Sequence, residues 1–531
     1  MAKQTNKGTF FGGVATLATG VIIVKIIGAL YKIPLANILG ETGFSYFNAA
    51  YNIYNVLLMI STAGLPVALS KSISEANALG RYNQVSRVFR VAMTTFLILG
   101  AASTLIMFFG AGALADLMNT PNSRASIRAL APAALVVCCM AGIRGYFQGH
   151  GTMGPTSTSQ VIEAAFKLVL GLALASLLAR QSLPLASAGA ILGVTIGTVV
   201  ALGFLLLVFR HRKRTPNSED VPDSSRKILK TLVTIAVPIT IGSSVTNIVY
   251  LADNAIILSR LQNALGMIQD EADAMYGIYS AAGTLYALPS SLMIPFTASI
   301  LPAVAASLSR KDPTGASRVA ESAMRIGMLL ALPAGFGLTA LAGPITAMLY
   351  PEYDNAIAGG CLSWLGIASI FVCVMLLSNS ILQAHGMVNL PVVIAAIGGV
   401  IKLGINYILV GTESLGVVGA AIGTLLCFGV VAALDLFVIH RVLPHPPCYT
   451  RIFVKPLIAS AVMAAAAWSL HGLLARFLGT SGMGGAAATM GGIGFGVLVY
   501  GALIILLKAI SKDDLAMMPK GDKLARILHL D

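Results

Sequence analysis

Charged and polar residues are few in this chain, and several sit inside otherwise apolar runs. Lys25 and Lys32 flank Tyr31 in the first such run, and Glu163 stands four residues before Lys167 in a later one. Lys402 and Asn406 repeat that spacing further on, and Asn48, Asn52 and Asn55 form a stripe beside Tyr51 and Tyr54. Residues three or four apart share a helix face. A charge at the centre of a bilayer costs about 2.5–3.5 kcal/mol, so each must face a cavity or a partner. Inward lysines suit an anion such as a pyrophosphate, with tyrosine and asparagine beside them for a polar headgroup. The substrate-binding candidates are therefore Lys25, Tyr31, Lys32, Asn52, Asn55, Glu163, Lys167 and Lys402. Asp253, with Asn247 and Asn254 nearby, has the oxygen-rich chemistry of a small-cation site.

Each reading has a plainer rival. Glu163 and Lys167 can form a self-satisfied pair, and Lys32 can snorkel toward an interface. Arg144 and Asp435 fall near the ends of apolar runs and read as interfacial anchors. His150 and His385, each in a short glycine-containing junction, read as turn caps.

The missing motifs narrow the chemistry. There is no phosphate-binding Walker sequence, no His-Glu-x-x-His and no nucleophile elbow, so the expectation is a protein that is not an enzyme. Five of the six cysteines lie in apolar runs and the sixth, Cys448, in a short loop. None has metal-ligand spacing with a histidine, and all read as reduced core residues without a metal.

The elements that hold these residues are membrane helices. Of 531 residues, 56% are hydrophobic and only 11% charged, far from the roughly one-quarter charged of a soluble domain. Apolar runs predict an all-α integral membrane protein of fourteen spans, at about 10–39, 43–70, 88–113, 128–149, 155–179, 186–209, 230–259, 275–308, 317–341, 358–386, 389–411, 415–439, 454–476 and 485–508. With both termini cytoplasmic, the cytoplasmic segments hold 25 of the 35 Lys and Arg and the external loops five, as the positive-inside rule requires. The net charge of +14 thus orients the chain, and no nucleic-acid partner is needed to explain it.

The basic segment 210–230 divides six predicted helices (1–209) from six more (231–440), and residues 441–531 add two helices and a tail. An internal repeat crosses this linker. Gln148-Gly-His-Gly precedes Lys167 by nineteen residues, and Gln383-Ala-His-Gly precedes Lys402 by the same interval. Two six-helix lobes related as a parallel repeat are expected, with substrate handled between them.

The strings KIIGALYKIPLANILG (25–40), STAGLPVALSKSISEA (61–76), RGYFQGHGTMGPTSTSQVIEAAFK (144–167), LPVVIAAIGGVIKLGINYILV (390–410) and GAAIGT (419–424) resemble the stage V sporulation protein B group. That group lies in the polysaccharide-exporter branch of the multidrug/oligosaccharidyl-lipid/polysaccharide (MOP) flippase superfamily, with the MurJ-type lipid II flippases. The resemblance implies a V-shaped, MATE-like pair of lobes working by alternating access, with the last two helices forming a groove for a polyprenyl tail. It matches Lys25 and Gly28 to a basic–x–x–Gly–x–x–Arg pattern whose arginine falls on Tyr31, with Lys32 carrying the charge. Leu58–Met59 and Thr284 stand near where MurJ-type proteins of Gram-negative bacteria have further arginines. It also matches Asp253, Asn406 and Thr424 to a sodium site of some relatives.

The expected function is a flippase of the bacterial plasma membrane for an undecaprenyl-pyrophosphate-linked cell-wall precursor. Lipid II is the first candidate, and teichoic-acid, capsule or spore-cortex precursors are the alternatives. No cofactor is expected; Na+ or H+ is the candidate coupling ion. Expected partners are the lipid-linked oligosaccharide, membrane lipids and the cell-wall synthesis machinery. Readings from other classes are a cation-coupled drug antiporter, a scaffold for cell-wall enzymes and a membrane glycosyltransferase. Inward lysines weigh against the antiporter, because cationic drugs prefer acidic cavities.

Overall fold

The computed structural model describes residues 5–212, 218–443 and 446–507. Lys3, two basic residues of the linker (213–214) and the C-terminal tail lie outside the described residues. Every described element is helical. They are α1 (Thr5–Thr62), α2 (Leu65–Ala78), α3 (Tyr82–Phe109), α4 (Ala111–Leu117), α5 (Arg124–Gly149), α6 (Gly154–Ala179), α7 (Leu183–Arg210) and α8 (Ser225–Asn263). There follow α9 (Gln269–Ser309), α10 (Pro313–Ala340), α11 (Ala342–Leu349), α12 (Asn355–Ala384), α13 (Asn389–Leu409), α14 (Val418–Val442), α15 (Tyr449–Leu478) and α16 (Gly482–Leu506). Among the described residues, eleven helices are long and apolar enough to cross a membrane. The chain is a multi-pass membrane protein.

The first helix is longer than any single expected span. It runs from the first predicted span into the second, and Gly40 breaks its ladder with φ 65°, ψ −177°. Only glycine takes that conformation without a Cβ penalty. The two expected runs, 10–39 and 43–70, thus join through a kink, and the chain breaks again at Ala63–Gly64 before α2.

Helix starts follow ordinary capping chemistry. Ser182 accepts from Leu185 N ahead of α7, Asp312 from Gly315 N ahead of α10, and Asp354 from Ala356 N and Ile357 N ahead of α12. The repeated junctions close in the same way. Gly151 (φ 74°) and Gly386 (φ 83°) follow α5 and α12 in the left-handed region. In each, the histidine Nδ1 lies 2.9 Å from the carbonyl four residues back, His150 to Tyr146 and His385 to Ile381. These histidines cap helix ends.

The chain divides into two compact units. One holds residues up to 262 together with 267–277; the other holds 263–266 and residues from 278 on. In the first, α1, α5 and α7 pack around α6 and its neighbours. The tightest approach is between α6 and α7, where a Cβ on Gly193 would stand 2.3 Å from the backbone of Gly171. A Cβ on Gly197 would stand 2.9 Å from Glu163 O and 3.1 Å from Lys167 N, so α7 braces the α6 backbone at two candidate residues. In the second unit, α10, α12, α14 and the start of α15 share a core that includes Met324, Met328, Cys373, Leu377, Ile381 and Ile439.

Outside the spans, the segment before α8 docks on the start of α3. Asp220 accepts from the backbone N–H groups of Asn83 (2.9 Å) and Gln84 (3.0 Å), and Arg81 donates to Val221 O at 3.0 Å. A hydrogen bond from Lys227 holds the Asp223 carboxyl below the usual carboxylate range.

Candidate cationic site

Lys167, near the middle of α6, is held by two tyrosines of α1. Its Nζ donates to Tyr51 Oη at 2.9 Å. The same Nζ lies 4.7 Å from the Tyr51 ring centroid and 4.9 Å from that of Tyr31. Tyr31 is fully buried and donates to Ala190 O of α7 at 3.3 Å. The two rings come from opposite sides of the Gly40 kink, so the bend in α1 is what lets both reach one ammonium. Cation–π contacts of this kind contribute about 0.5–2 kcal/mol each and leave the positive charge uncancelled.

Two lysines of α1 extend this group. Lys32 is half-buried and Lys25 exposed, and Lys32 lies within electrostatic reach of both Lys167 and Lys25. Asn52 donates to Tyr276 Oη at 3.3 Å, and Asn55, on the same stripe, is half-buried. Asn48 turns back to Phe44 O at 2.8 Å and is satisfied within its own helix.

The Glu163–Lys167 pair, one of the two readings the sequence left open, gives way to a different arrangement. Glu163 Oε2 pairs with Arg144 Nη2 of α5 at 3.0 Å, and Arg144 Nε donates to Ser159 Oγ at 3.0 Å. Arg144 is thus an internal partner, where the sequence suggested an interfacial anchor. A signal for this was available. Arg144 and Ser159 stand equally far from the centre of the short 149–154 junction, so antiparallel helices bring them opposite each other.

The remaining candidates belong to other regions. Asp253 and Asn254 are buried on α8 in the first unit, and neither polar side-chain atom of Asn254 has a hydrogen-bond partner among the described residues. Lys402, Asn406 and Thr424 are buried in the second unit. There Asn406 Oδ1 fills the space beside Gly423, and Thr424 Oγ1 lies 3.0 Å from Tyr279 Oη. Asp435, expected near an interface, is instead fully buried in α14 among Ala432, Ile439 and their neighbours. Neither of its oxygens has a partner among the described residues. All six cysteines are free, and no cluster of three or more His, Cys, Asp or Glu suited to a metal occurs among the described residues.

Comparison with known proteins adds to this geometry. Residues 10–308 match the family described as polysaccharide biosynthesis protein. The chain is 26% identical over 503 residues to lipid II flippase MurJ of Bacillus subtilis (strain 168), covering 90% of each chain. It is 23% identical over 524 residues to stage V sporulation protein B of the same organism, covering 98% of each. Among solved structures, lipid II flippase MurJ in an inward closed conformation aligns with TM-score 0.66 at 15% identity, over 92% of this chain and 98% of that one. An inward-facing MATE-family multidrug transporter of the MOP superfamily aligns with TM-score 0.65 at 18% identity, over 78% and 97%. At these identities the solved structures establish a shared fold.

Proposed function

Since this chain belongs to the polysaccharide biosynthesis protein family, which its residues 10–308 match, we propose that it is a flippase carrying an undecaprenyl-pyrophosphate-linked cell-wall precursor across the bacterial plasma membrane. Lipid II is the first candidate, supported by the similarity to a relative named as a lipid II flippase over 90% of both chains. The observation that carries the reading is Lys167, held by Tyr31 and Tyr51, with Lys32 in electrostatic reach of it and Lys25 in reach of Lys32. An anion entering an apolar slab loses hydration worth many kcal/mol unless fixed positive groups replace it. Lysines whose charge is not cancelled by a neighbouring carboxylate provide that replacement. Asn52 and Asn55 add hydrogen-bonding capacity for sugars, and Lys402 adds a buried cation in the second unit.

The reading takes fourteen spans with both termini cytoplasmic and a cycle of alternating access. The polyprenyl tail stays in lipid beside α15 and α16. Coupling to Na+ or H+ is assigned either to Asp253 in the first unit or to Asn406 and Thr424 in the second, whose oxygen donors suit a hard cation. The cell-wall synthesis machinery is the proposed partner.

The test is to deplete the resident lipid II flippase of a suitable bacterium, express this chain, and measure labelled lipid II reaching the outer leaflet. Restored translocation that disappears in a Lys25→Ala, Lys32→Ala double variant supports the proposal. Unimpaired translocation by a normally inserted double variant would refute the role of those lysines. Failure to restore lipid II translocation, despite normal insertion, favours another lipid-linked glycan. The 98% mutual coverage with stage V sporulation protein B keeps that second reading in view.

A further inference from the structure

Glu163 and Lys167 are four residues apart on α6 in the order that favours an intrahelical ion pair. Such a pair would be electrically neutral and of little use to an anion. The structure directs each side chain elsewhere. Glu163 turns to Arg144 on α5, with the two side chains 26% and 14% exposed. Lys167 turns to the aromatic rings of α1. Arg144 is itself fixed from a second direction. Ser159 Oγ donates its proton to Thr156 O at 2.8 Å, which leaves its lone pairs to accept from Arg144 Nε. The guanidinium therefore spans one turn of α6, from Ser159 to Glu163, using two of its donors.

We infer that Arg144 is a positioning residue that occupies the Glu163 carboxylate and so keeps the charge of Lys167 free for the anionic group of the substrate. The geometry explains why one cationic site contains two opposite charges on adjacent turns. Arg144 cancels Glu163, whereas the tyrosine rings hold Lys167 without cancelling it. Without Arg144, Glu163 has Lys167 as the cation on its own helix face, and the closed pair withdraws that cation from the site. The inference rests on the proposed role of Lys167 in anion binding.

The experiment uses the full-length protein in detergent and in proteoliposomes, with undecaprenyl pyrophosphate as the probe because all the candidate glycan carriers share that anion. Arg144→Gln is expected to weaken binding about ten-fold, the loss of one charge-assisted contact, with a matching fall in translocation. Arg144→Gln combined with Glu163→Gln removes the competing carboxylate and should return affinity to within about three-fold of the parent. The double variant is uncharged and similar in shape, so it also guards against misfolding of the single one. A merely structural ion pair would lose and regain the thermal midpoint together with binding, so a binding loss in Arg144→Gln that the midpoint fully tracks also overturns the inference. Arg144→Gln binding like the parent would overturn the inference, and so would a double variant that stays as weak as the single one at an unchanged thermal midpoint. Lys167→Met separates the two levels: parent-like binding by that variant overturns the anion-binding reading itself, whatever the Arg144 variants do.

Discussion

Tyr51 offers a graded test of how Lys167 is held. Tyr51→Phe removes the 2.9 Å hydrogen bond from Lys167 but keeps the ring 4.7 Å from Nζ. A hydrogen bond to a charged group contributes about 1.5–3 kcal/mol when buried. Both residues are half-buried, so solvent screening brings the expected cost to about 1 kcal/mol. Tyr51→Leu also removes the cation–π contact, about 0.5–2 kcal/mol, and the ring contacts with Phe47 and Tyr54 at 5.2 and 5.9 Å. Its total should reach about 2–4 kcal/mol. For a unit of this size, 1 kcal/mol shifts a thermal midpoint by about 2–4 °C. The assay is thermal unfolding of the purified full-length protein in one detergent at one scan rate, since membrane proteins often unfold irreversibly. Tyr51→Phe should fall by about 2–4 °C and Tyr51→Leu by at least twice that. Two variants that fall equally, or neither falling, would refute the division between hydrogen bond and ring.

Gly193→Ala should destabilise the first unit by at least about 1–3 kcal/mol, because the new Cβ would stand 2.3 Å from Gly171 and force α6 and α7 apart. Gly203→Ala, with nothing within 4 Å, is the control and should leave the thermal midpoint unchanged or raised. Asp273 lies just ahead of the predicted eighth span, on a helix of 41 residues that far exceeds the ~30 Å hydrocarbon core. Burial raises its carboxyl to about 7, against the lowering effect of hydrogen bonds from Gln269 and Ser45, and the charge of Asp270 adds to the rise. The folded state then holds a proton that the unfolded state has released, so stability should fall as pH rises from about 4 to about 7 and level off above that. Asp273→Asn should flatten this part of the pH profile measured by chemical denaturation, and an unchanged profile would sink the assignment. Asp435→Leu removes a buried carboxyl whose oxygens have no partner among the described residues and should raise the thermal midpoint by several degrees. A fall would mean that the carboxyl has a partner in the folded protein.

Much of the fold was legible in the residues. Runs of apolar residues in a chain only 11% charged demand a membrane, because no soluble core could absorb that surface. The repeated Gln-x-His-Gly junctions announced two equivalent helix ends, and the structure closes both with the same histidine and glycine contacts. The site was legible only in part. Lys167 stood out as a cation in an apolar run, Tyr31 was a candidate between Lys25 and Lys32, and Tyr51 stood beside the asparagine stripe. Which side chain meets which was hidden, because helical periodicity reports the face a residue occupies and says nothing of what packs on that face.

The sequence alone thus determined the solvent, the helical content and the identity of the charges that must be compensated, since these follow from local composition and from the cost of burying charge. Only the tertiary structure decided how the compensation is made. The left-handed backbone at Gly40 folds α1 so that Tyr31 and Tyr51 both reach Lys167, and the short junction after α5 brings Arg144 against Ser159 and Glu163. It also decided that Asp435 faces an apolar core, where nearness to a span end had suggested an interface. Pairings between helices depend on kink direction, register and crossing geometry, which arise from the packing of many residues at once and leave no periodic trace in any single segment.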